Sequence, residues 1–375
     1  MAGAVVQSCQ GGGGGSTGRR PGTGSDSAAP RSGGPPGVAV PSTVAVQAAN
    51  PRATATTAHP PVAVGTTVGY PATTGHADPG RAVAGRRPGC WGWEVLVPRS
   101  GALPAPVRRT LLYRQATGQL PPLLRPRTFT EKLNWRITVD RRELLAPTCD
   151  KLAMKEHART VAPGLVRVPE TLWSGTDVGE LADVDLPGHW VLKPNHSCIR
   201  RLFGRGPADV DELRRRTAGW VGERYWRKSE EWAYRRARPC LLVEEFIGVP
   251  GVVPADLKVL VVAGEPRLVE LHTGRDDHHG TRLYSPEWTP LPWTIGYRPG
   301  PDADPPERLE DLLKVATALS DGFDMLRVDC YEVDGELWFG ELTPYPGAGL
   351  SPLEPDLDAW LGAVWTLPPL WRAPR

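Results

Sequence analysis

Asp329 and Glu341 are acids inside sequence that otherwise builds strands, and that placement is the chain's first chemical signal. Met325 to Val333 alternates apolar and polar residues, Asp334-Gly335 is a turn signal, and Glu336 to Leu342 returns as a second strand, so the stretch reads as a β-hairpin. A carboxylate in a half-buried strand is costly unless a cation or hydrogen-bond donors face it. Arg327, two residues before Asp329 and on the same strand face, meets that need as part of a structural ion-pair ladder. A divalent ion meets it equally, because Mg²⁺ takes one or two carboxylates and completes its shell with phosphate oxygens and water. Both readings stand at this point. Beyond the hairpin, Tyr345-Pro346-Gly347 and Gly349 form a small-residue turn where a phosphate or acyl group can approach the backbone.

A shared ion requires both acids on one face. A two-residue Asp334-Gly335 loop pairs Val333 with Glu336 and Val328 with Glu341, which turns Asp329 away. A three-residue loop, Val333-Asp334-Gly335 with Gly335 left-handed, sets Arg327 opposite Glu341 and brings Arg327, Asp329 and Glu341 to one face. The expectation is an odd-length turn or a compensating bulge.

The lysines are the second signal. The chain has seven Lys against 37 Arg, so a lysine that persists is a candidate for work that needs a compact ammonium. Lys151, Lys193 and Lys258 stand at element ends or within an apolar strand, while Lys155, Lys228 and Lys314 read as surface residues. With Glu244-Glu245 at a strand end, Asp256-x-Lys258, and the two hairpin acids, these residues make a phosphate, nucleoside and metal set.

The elements that position them are mixed. FTEKLNWR, 129–136, reads as a short amphipathic helix capped by Thr130, and Asp150 caps a second helix from Lys151 to about Thr160. HWVLKP, 189–194, is a strand that ends near Lys193, and the loop NHSCIRRLFGRG follows it. Residues 209–236 read as helical, with Trp220, Tyr225, Trp226, Trp232 and Tyr234 as a core stripe beneath a solvated Arg and Glu face; a base-stacking surface is the alternative. Cys240 to Ile247 is a strand. Residues 256–274 form a hairpin turning at Gly264-Glu265-Pro266, and Pro305-Pro306 open a helix to about Asp321. Strands joined by tight turns pair antiparallel, so the fold class is α+β.

Composition bounds the rest. The first ninety residues are rich in Gly, Pro, Ala, Ser and Thr and have one aromatic, Tyr70, so they form a disordered low-complexity tail that cannot offset chain entropy by burial. That tail carries seven Arg against Asp26 and Asp78, a net of +5, and with +2 for the whole chain the other 285 residues sum to −3. A near-neutral body argues against nucleic acid as a partner. The start has no basic n-region and no apolar run of signal length, and no stretch is long enough to span a bilayer, so the expected location is cytoplasmic. Six cysteines without C-x-x-C spacing indicate neither zinc nor a disulfide scaffold, and His278-His279 read as loop histidines.

In this order the motifs FTEKLNW (129–135), Asp150-Lys151, VLKPNH (191–196), VEEFI (243–247), DLKVLVVAG (256–264) and RVDCYEVDGELWFGELTPYPGAG (327–349) resemble the ATP-grasp superfamily, specifically its TupA-like branch linked to teichuronopeptide and related polysaccharide synthesis. The resemblance covers about 125–365. It implies two α+β subdomains gripping ATP between antiparallel sheets, with lead-in helices at about 91–165, a first subdomain at 166–248 and a second at 249–375. It also implies that Lys151 and Lys193 hold phosphates with Ser197 in the loop that follows Lys193, and that Glu244, Glu245 and Phe246 meet adenine. By the same resemblance Asp256 binds ribose, Lys258 faces phosphate, Asp329 and Glu341 hold Mg²⁺ with Thr343 as a weaker third group, and Arg327 steadies an acyl phosphate. The activity implied is carboxylate–amine ligation, with a small-molecule or glycan carboxylate and an amine donor as substrates. A nucleotide-sugar-dependent glycosyltransferase and a catalytically weak ATP-binding partner protein are the alternatives. The loop after Lys193 departs from the family pattern, because no glycine occurs between Asn195 and Gly204 and Arg200-Arg201 stand in its place.

Overall fold

Runs rich in Val and Leu collect into two sheets in the computed structural model, which describes residues 103–186, 188–249, 254–274 and 279–369. The expectations for the tail at 1–90, for order beginning at Trp91, and for His278 lie outside the described residues. All described residues belong to one compact unit.

The first sheet contains β1 (Thr171–Gly175), β2 (His189–Pro194), β3 (Leu202–Arg205) and β4 (Leu241–Glu245) in the order β1-β4-β2-β3, all antiparallel. The second contains β5 (Asp256–Val262), β6 (Glu265–Thr273), β7 (Gly280–Tyr284), β8 (Arg298–Pro299), β9 (Met325–Val333) and β10 (Glu336–Thr343) in the order β10-β9-β5-β6-β7-β8. Only the short β8 runs parallel to its neighbour. Among the described residues six α-helices accompany them: α1 (Ala105–Thr117), α2 (Phe129–Val139), α3 (Lys151–Val161), α4 (Val210–Thr217), α5 (Leu309–Leu319) and α6 (Pro355–Val364). The class is α+β, as expected.

Strand alternation decides what each sheet face does. In the first sheet Trp190, Leu192, Leu202, Leu241 and Val243 pack with Leu213 of α4, which leaves His189, Val191, Lys193, Phe203 and Glu244 on the opposite face. One face of the second sheet, including Leu257, Val259, Leu271 and Val328, packs on Leu312, Val315 and Leu319 of α5 and on Met154 of α3. Its other face is divided. Leu260, Val262, Leu268, Leu283 and Met325 lie under Phe129 and Leu133 of α2 and Leu357 and Leu361 of α6. Farther along the same strands the alternate positions become Asp256, Lys258, Glu270, His272, Arg327 and Asp329, so the charged patch begins where the apolar cover ends.

The hairpin register is set by a bulge. β9 and β10 are joined by a two-residue turn, with Val333 opposite Glu336 and both Asp334 and Gly335 left-handed (φ 52 and 70), the backbone that a tight hairpin turn favours. The three-residue loop does not form. A bulge at Gly340 compensates: Phe339 stays opposite Cys330, yet Glu341 faces Asp329 and Thr343 faces Arg327. Other boundaries differ from expectation for local reasons. α2 is capped by Thr128, not Thr130, because the Thr128 hydroxyl accepts from Glu131 N (3.3 Å) while Glu131 reaches back to Thr128 N in a capping box. The expected long helix over 209–236 stops at Thr217, ahead of the left-handed Gly219 (φ 78), and continues as two 3₁₀ turns at Tyr225–Arg227 and Trp232–Arg235. The aromatics there form no single stripe: Trp220 joins the first sheet's core, and Trp232 and Tyr234 border another cluster around Ile137 and Tyr345. The β5–β6 turn falls at Ala263-Gly264, one residue early, and α5 begins at Leu309 after its two prolines.

Gly340 is required by contact. A Cβ there would lie 2.8 Å from the Asp329 carbonyl oxygen and 3.1 Å from the Tyr331 ring. Gly340→Ala is expected to destabilise by about 1–3 kcal/mol, read by urea unfolding, because the bulge has no room for a methyl group; unchanged stability would show that the register tolerates a side chain.

Candidate active site

Asp329 is 1% exposed and held by two cations. Arg327 clamps it bidentately, Nε to Oδ1 at 2.7 Å and Nη2 to Oδ2 at 2.8 Å, and the Lys258 ammonium pairs with Oδ2. Burial raises the Asp329 carboxyl, but Arg327 and Lys258 outweigh it and hold the group well below the usual carboxylate range. Lys258 is also paired with Asp256 at 2.7 Å. Glu341, opposite Asp329, is the open member, with 37% of its side chain exposed and Oε1 3.8 Å from Arg327 Nη2. The Thr343 hydroxyl lies 3.4 Å from Glu341 Oε1 and 3.3 Å from Arg327 Nη2.

These acids fit a divalent ion that is bound largely by its ligand. Among the described residues no group of three His, Cys, Asp or Glu is placed to hold a metal. The donors are two facing carboxylates and a hydroxyl, the sparse protein share that Mg²⁺ uses when phosphate oxygens and water complete its shell, and of the two acids only Glu341 is open, both Asp329 oxygens being held by Arg327 and Lys258. Arg327 and Lys258 already neutralise Asp329 as cations in that place.

A second charged group lies on the first sheet. Glu244, 6% exposed, pairs with Lys193 and with Lys155 at 2.7 Å. Burial raises the Glu244 carboxyl, and Lys193 and Lys155 more than reverse it, so it remains low and ionised. Lys155 is thus not the surface lysine expected; it is 4% exposed, and burial lowers its ammonium despite Glu244. The missed signal was its spacing: Lys151 and Lys155 are four apart at the start of α3, which puts them on one helix face. Lys151 donates to the Ser197 carbonyl, and Asp150 caps α3 at Ala153 N (3.0 Å) while binding the Arg238 guanidinium. Lys228 and Lys314 are exposed as expected.

The remaining predicted residues divide. Glu245 lies on the opposite strand face from Glu244 and accepts from Glu170 N at 2.8 Å, away from the lysines. Asp256 is fully buried against Lys258, so it is placed to hold that lysine and has no surface to offer a ribose. Phe246 stands edge-on to Phe203, centroids 5.9 Å apart, and Phe203 is 60% exposed on the lysine-bearing face, an aromatic platform that the sequence reading missed. Asn195 braces the loop start by accepting from Leu152 N (2.9 Å) and donating to Arg238 O (3.0 Å). Arg200 is committed to Glu223 at 2.8 Å, and Arg201 lies over Phe203. Ile199 occupies left-handed backbone (φ 77), a strained conformation for a β-branched residue, at a point where glycine would be unstrained.

Burial raises the Cys198 thiol, Lys151 opposes that rise and Glu341 adds to it. On β6, Glu270 accepts from His272 (3.0 Å), whose other ring nitrogen lies 2.9 Å from His279 Nε2. The His279 ring lies tilted against Tyr297, centroids 4.1 Å apart, and is half-buried, not an exposed loop histidine. Alternation on β6 aligns Glu270 with Lys258, which extends the charged face beyond the predicted set.

Glu231 is a buried acid with no sequence signal. Burial pushes its carboxyl up to about 7 against the pull of Arg109; burial also raises Cys149, Cys198, Tyr225, Tyr234 and Tyr345 around it, and the Glu231 charge adds to each rise.

Residues 131–366 match the TupA-like ATP-grasp family. Among solved structures the chain is similar to D-alanine–D-alanine ligase from Bacillus anthracis complexed with ATP (14% identity, TM-score 0.31, covering 52% of this chain and 54% of that one). It is similar also to D-alanine–D-alanine ligase from Helicobacter pylori (14%, 0.33, 59% and 61%) and to L-amino acid ligase from Bacillus licheniformis (13%, 0.33, 54% and 42%). The chain spans about half the length of these proteins. No curated protein matches it.

Because the folded pKa of Glu231 lies above its unfolded value, its contribution to stability is complete below the unfolded pKa and is lost as pH rises through about 7. Glu231→Gln is therefore expected to raise stability at pH 8 by about 1–3 kcal/mol, with little change at pH 5, in denaturant titrations at the two pH values. Equal effects at both would mean that Glu231 does not carry this proton.

Proposed function

The chain belongs to the TupA-like ATP-grasp family, and on that footing we propose that it is an ATP- and Mg²⁺-dependent carboxylate–amine ligase. The observation that carries this reading is the bulged register that sets Glu341 opposite Asp329, with Arg327 and Lys258 on the same face. In this reading Lys151, Lys155 and Lys193 hold ATP phosphates, and Glu244 orients the last two. Phe203 and Phe246 give adenine an aromatic edge. Asp329 and Glu341, with Thr343 beside them, would hold Mg²⁺, which would supply positive charge to offset that on the phosphate oxygens.

The substrate carboxylate attacks the γ-phosphorus, ADP leaves, and an acyl phosphate forms. An amine then attacks the carbonyl carbon, phosphate departs with the acyl C–O bond electrons, and the nitrogen loses a proton. Arg327 and Lys258 face the charge that accumulates in both steps, and Asp256 and Asp329 hold Lys258 in place. Two subdomains, 166–248 and 249–375, belong to the same proposal, as do a surface-glycan or amino-acid substrate and a cytoplasmic site of action. Among the described residues no helix is long and apolar enough to cross a membrane.

One observation favours the reading of an ATP-binding partner with weak turnover: the phosphate loop holds Ile199 in left-handed backbone and ties Arg200 to Glu223. ATP binding without ADP release would establish that alternative.

Asp329→Asn and Glu341→Gln are each expected to abolish Mg²⁺-dependent ADP release in the presence of an acceptor; release surviving in both would remove the metal assignment. Lys193→Arg should weaken ATP binding at least about tenfold by calorimetry although charge is kept, because a planar fork cannot replace a compact ammonium between phosphates. Unchanged affinity in the folded variant would remove Lys193 from the phosphate site.

A further inference from the structure

α1 is apolar on two sides. Leu112 and Tyr113 turn inward, while Val107 and Leu111, one helical turn apart, are 44% and 38% exposed with Arg114 continuing their stripe. Past Gly118, Leu120 and Leu124 are 64% and 97% exposed. Of the nine large hydrophobic side chains exposed among the described residues, these four fall within 107–124, so the exposure is concentrated and calls for a partner.

The charge of this segment is one-signed. Residues 103–130 contain five arginines and no Asp or Glu. Arg109 is buried and Arg108 pairs with Glu230. Arg114, Arg125 and Arg127 are exposed, and no described carboxylate forms an ion pair with their side chains; the nearest acid in sequence, Glu131, is spent on the α2 capping box, where it accepts from Arg127 N (2.6 Å) and Thr128 N (3.1 Å). The basic surface continues onto the neighbouring 3₁₀ turns. Arg108, its pKa lowered first by burial, also feels the charge of Arg227, and Arg227 and Arg235 both lie over the half-buried Trp226 ring at 5.2 and 5.4 Å.

We propose that α1, the 118–127 loop and the Trp226 turn form a docking face for an anionic lipid surface. Leu120 and Leu124 enter the acyl boundary, Val107 and Leu111 lie along it, and the arginines, including the two laid over the Trp226 ring, meet lipid phosphates. The pattern disfavours the other occupants. A second copy in a two-fold contact would bring the same unpaired arginines against each other. A nucleic acid would leave four aliphatic side chains without a stacking partner, and the Trp226 ring is already covered by guanidinium groups. The face also adjoins the region of the site: Arg109 of α1 donates to the carbonyls of Ala348 (2.7 Å) and Gly349 (3.3 Å), in the loop that follows β10. The inference does not depend on the ligase reading.

Co-sedimentation of the full chain with phosphatidylcholine vesicles, with and without 30 mol % phosphatidylglycerol (roughly the anionic content needed for electrostatic attraction), tests it. Binding to the anionic vesicles is expected to be at least about tenfold stronger and to fall at high salt. Leu120→Ser with Leu124→Ser, and separately Arg125→Glu with Arg127→Glu, should each reduce binding at least about fivefold while leaving the melting temperature unchanged, since these side chains are exposed. Equal binding to both vesicle types, or unaltered binding of the serine variant, would overturn the proposal. So would a chain that ignores vesicles but either forms a dimer dissociated by the serine substitutions or is retained by a soluble polyanion such as polygalacturonate.

Discussion

A carboxylate with 1% of its surface exposed stays charged only when cations are fixed against it, and Asp329 has two. Satisfying that one group constrains much of the second sheet. β9 must lie beside β5 in the register that sets Lys258 opposite Asp329. Arg327 must share the Asp329 face, which a two-residue spacing guarantees. β10 must bulge at Gly340 to bring Glu341 across from Asp329, where its more open carboxylate is the part of the cluster that a ligand can reach. A one-residue slip would bury the same charges against α5 without partners.

Two buried arginines fix the ends of this arrangement. Arg136 of α2 donates to Met325 O (2.8 Å) and Pro344 O (3.2 Å), which begin β9 and follow β10, and it pairs with Asp324 at 2.6 Å. Arg109 of α1 bonds Asn134, Ser229 O and the Ala348 and Gly349 carbonyls. A guanidinium offers five donors in a rigid fork, so one side chain can tie several loops together. The helices ahead of the first sheet are therefore structural braces of the hairpin and of the left-handed turn Gly347-Ala348-Gly349.

The first sheet meets the same electrostatic demand with the same signs. There one buried acid, Glu244, holds two lysines whose ammonium groups are close enough to oppose one another. Its loop stores strain at Ile199, while Asn195 and Lys151 anchor the backbone on either side of His196.

Local sequence determined the elements that have strong periodicity or unambiguous turn chemistry: β2, β4, β5, β9 and β10, the Asp150 cap, and the α+β class. It also placed Arg327, Asp329, Lys193 and Glu244 on their strands, because an alternating strand reports its faces directly. Only tertiary packing decided the rest. Whether the hairpin would be corrected by loop length or by a bulge depended on space beside the Asp329 carbonyl, which no local pattern encodes. Lys155 joined the buried ion cluster because the first sheet brings Glu244 to it across 89 positions of sequence, and Asp256 was withdrawn from the surface because Lys258 and the neighbouring strands enclose it. The buried acid Glu231 left no trace in the sequence at all: burial and charge partners are properties of what folds against a residue, and a chain read in order carries the residue but not its surroundings.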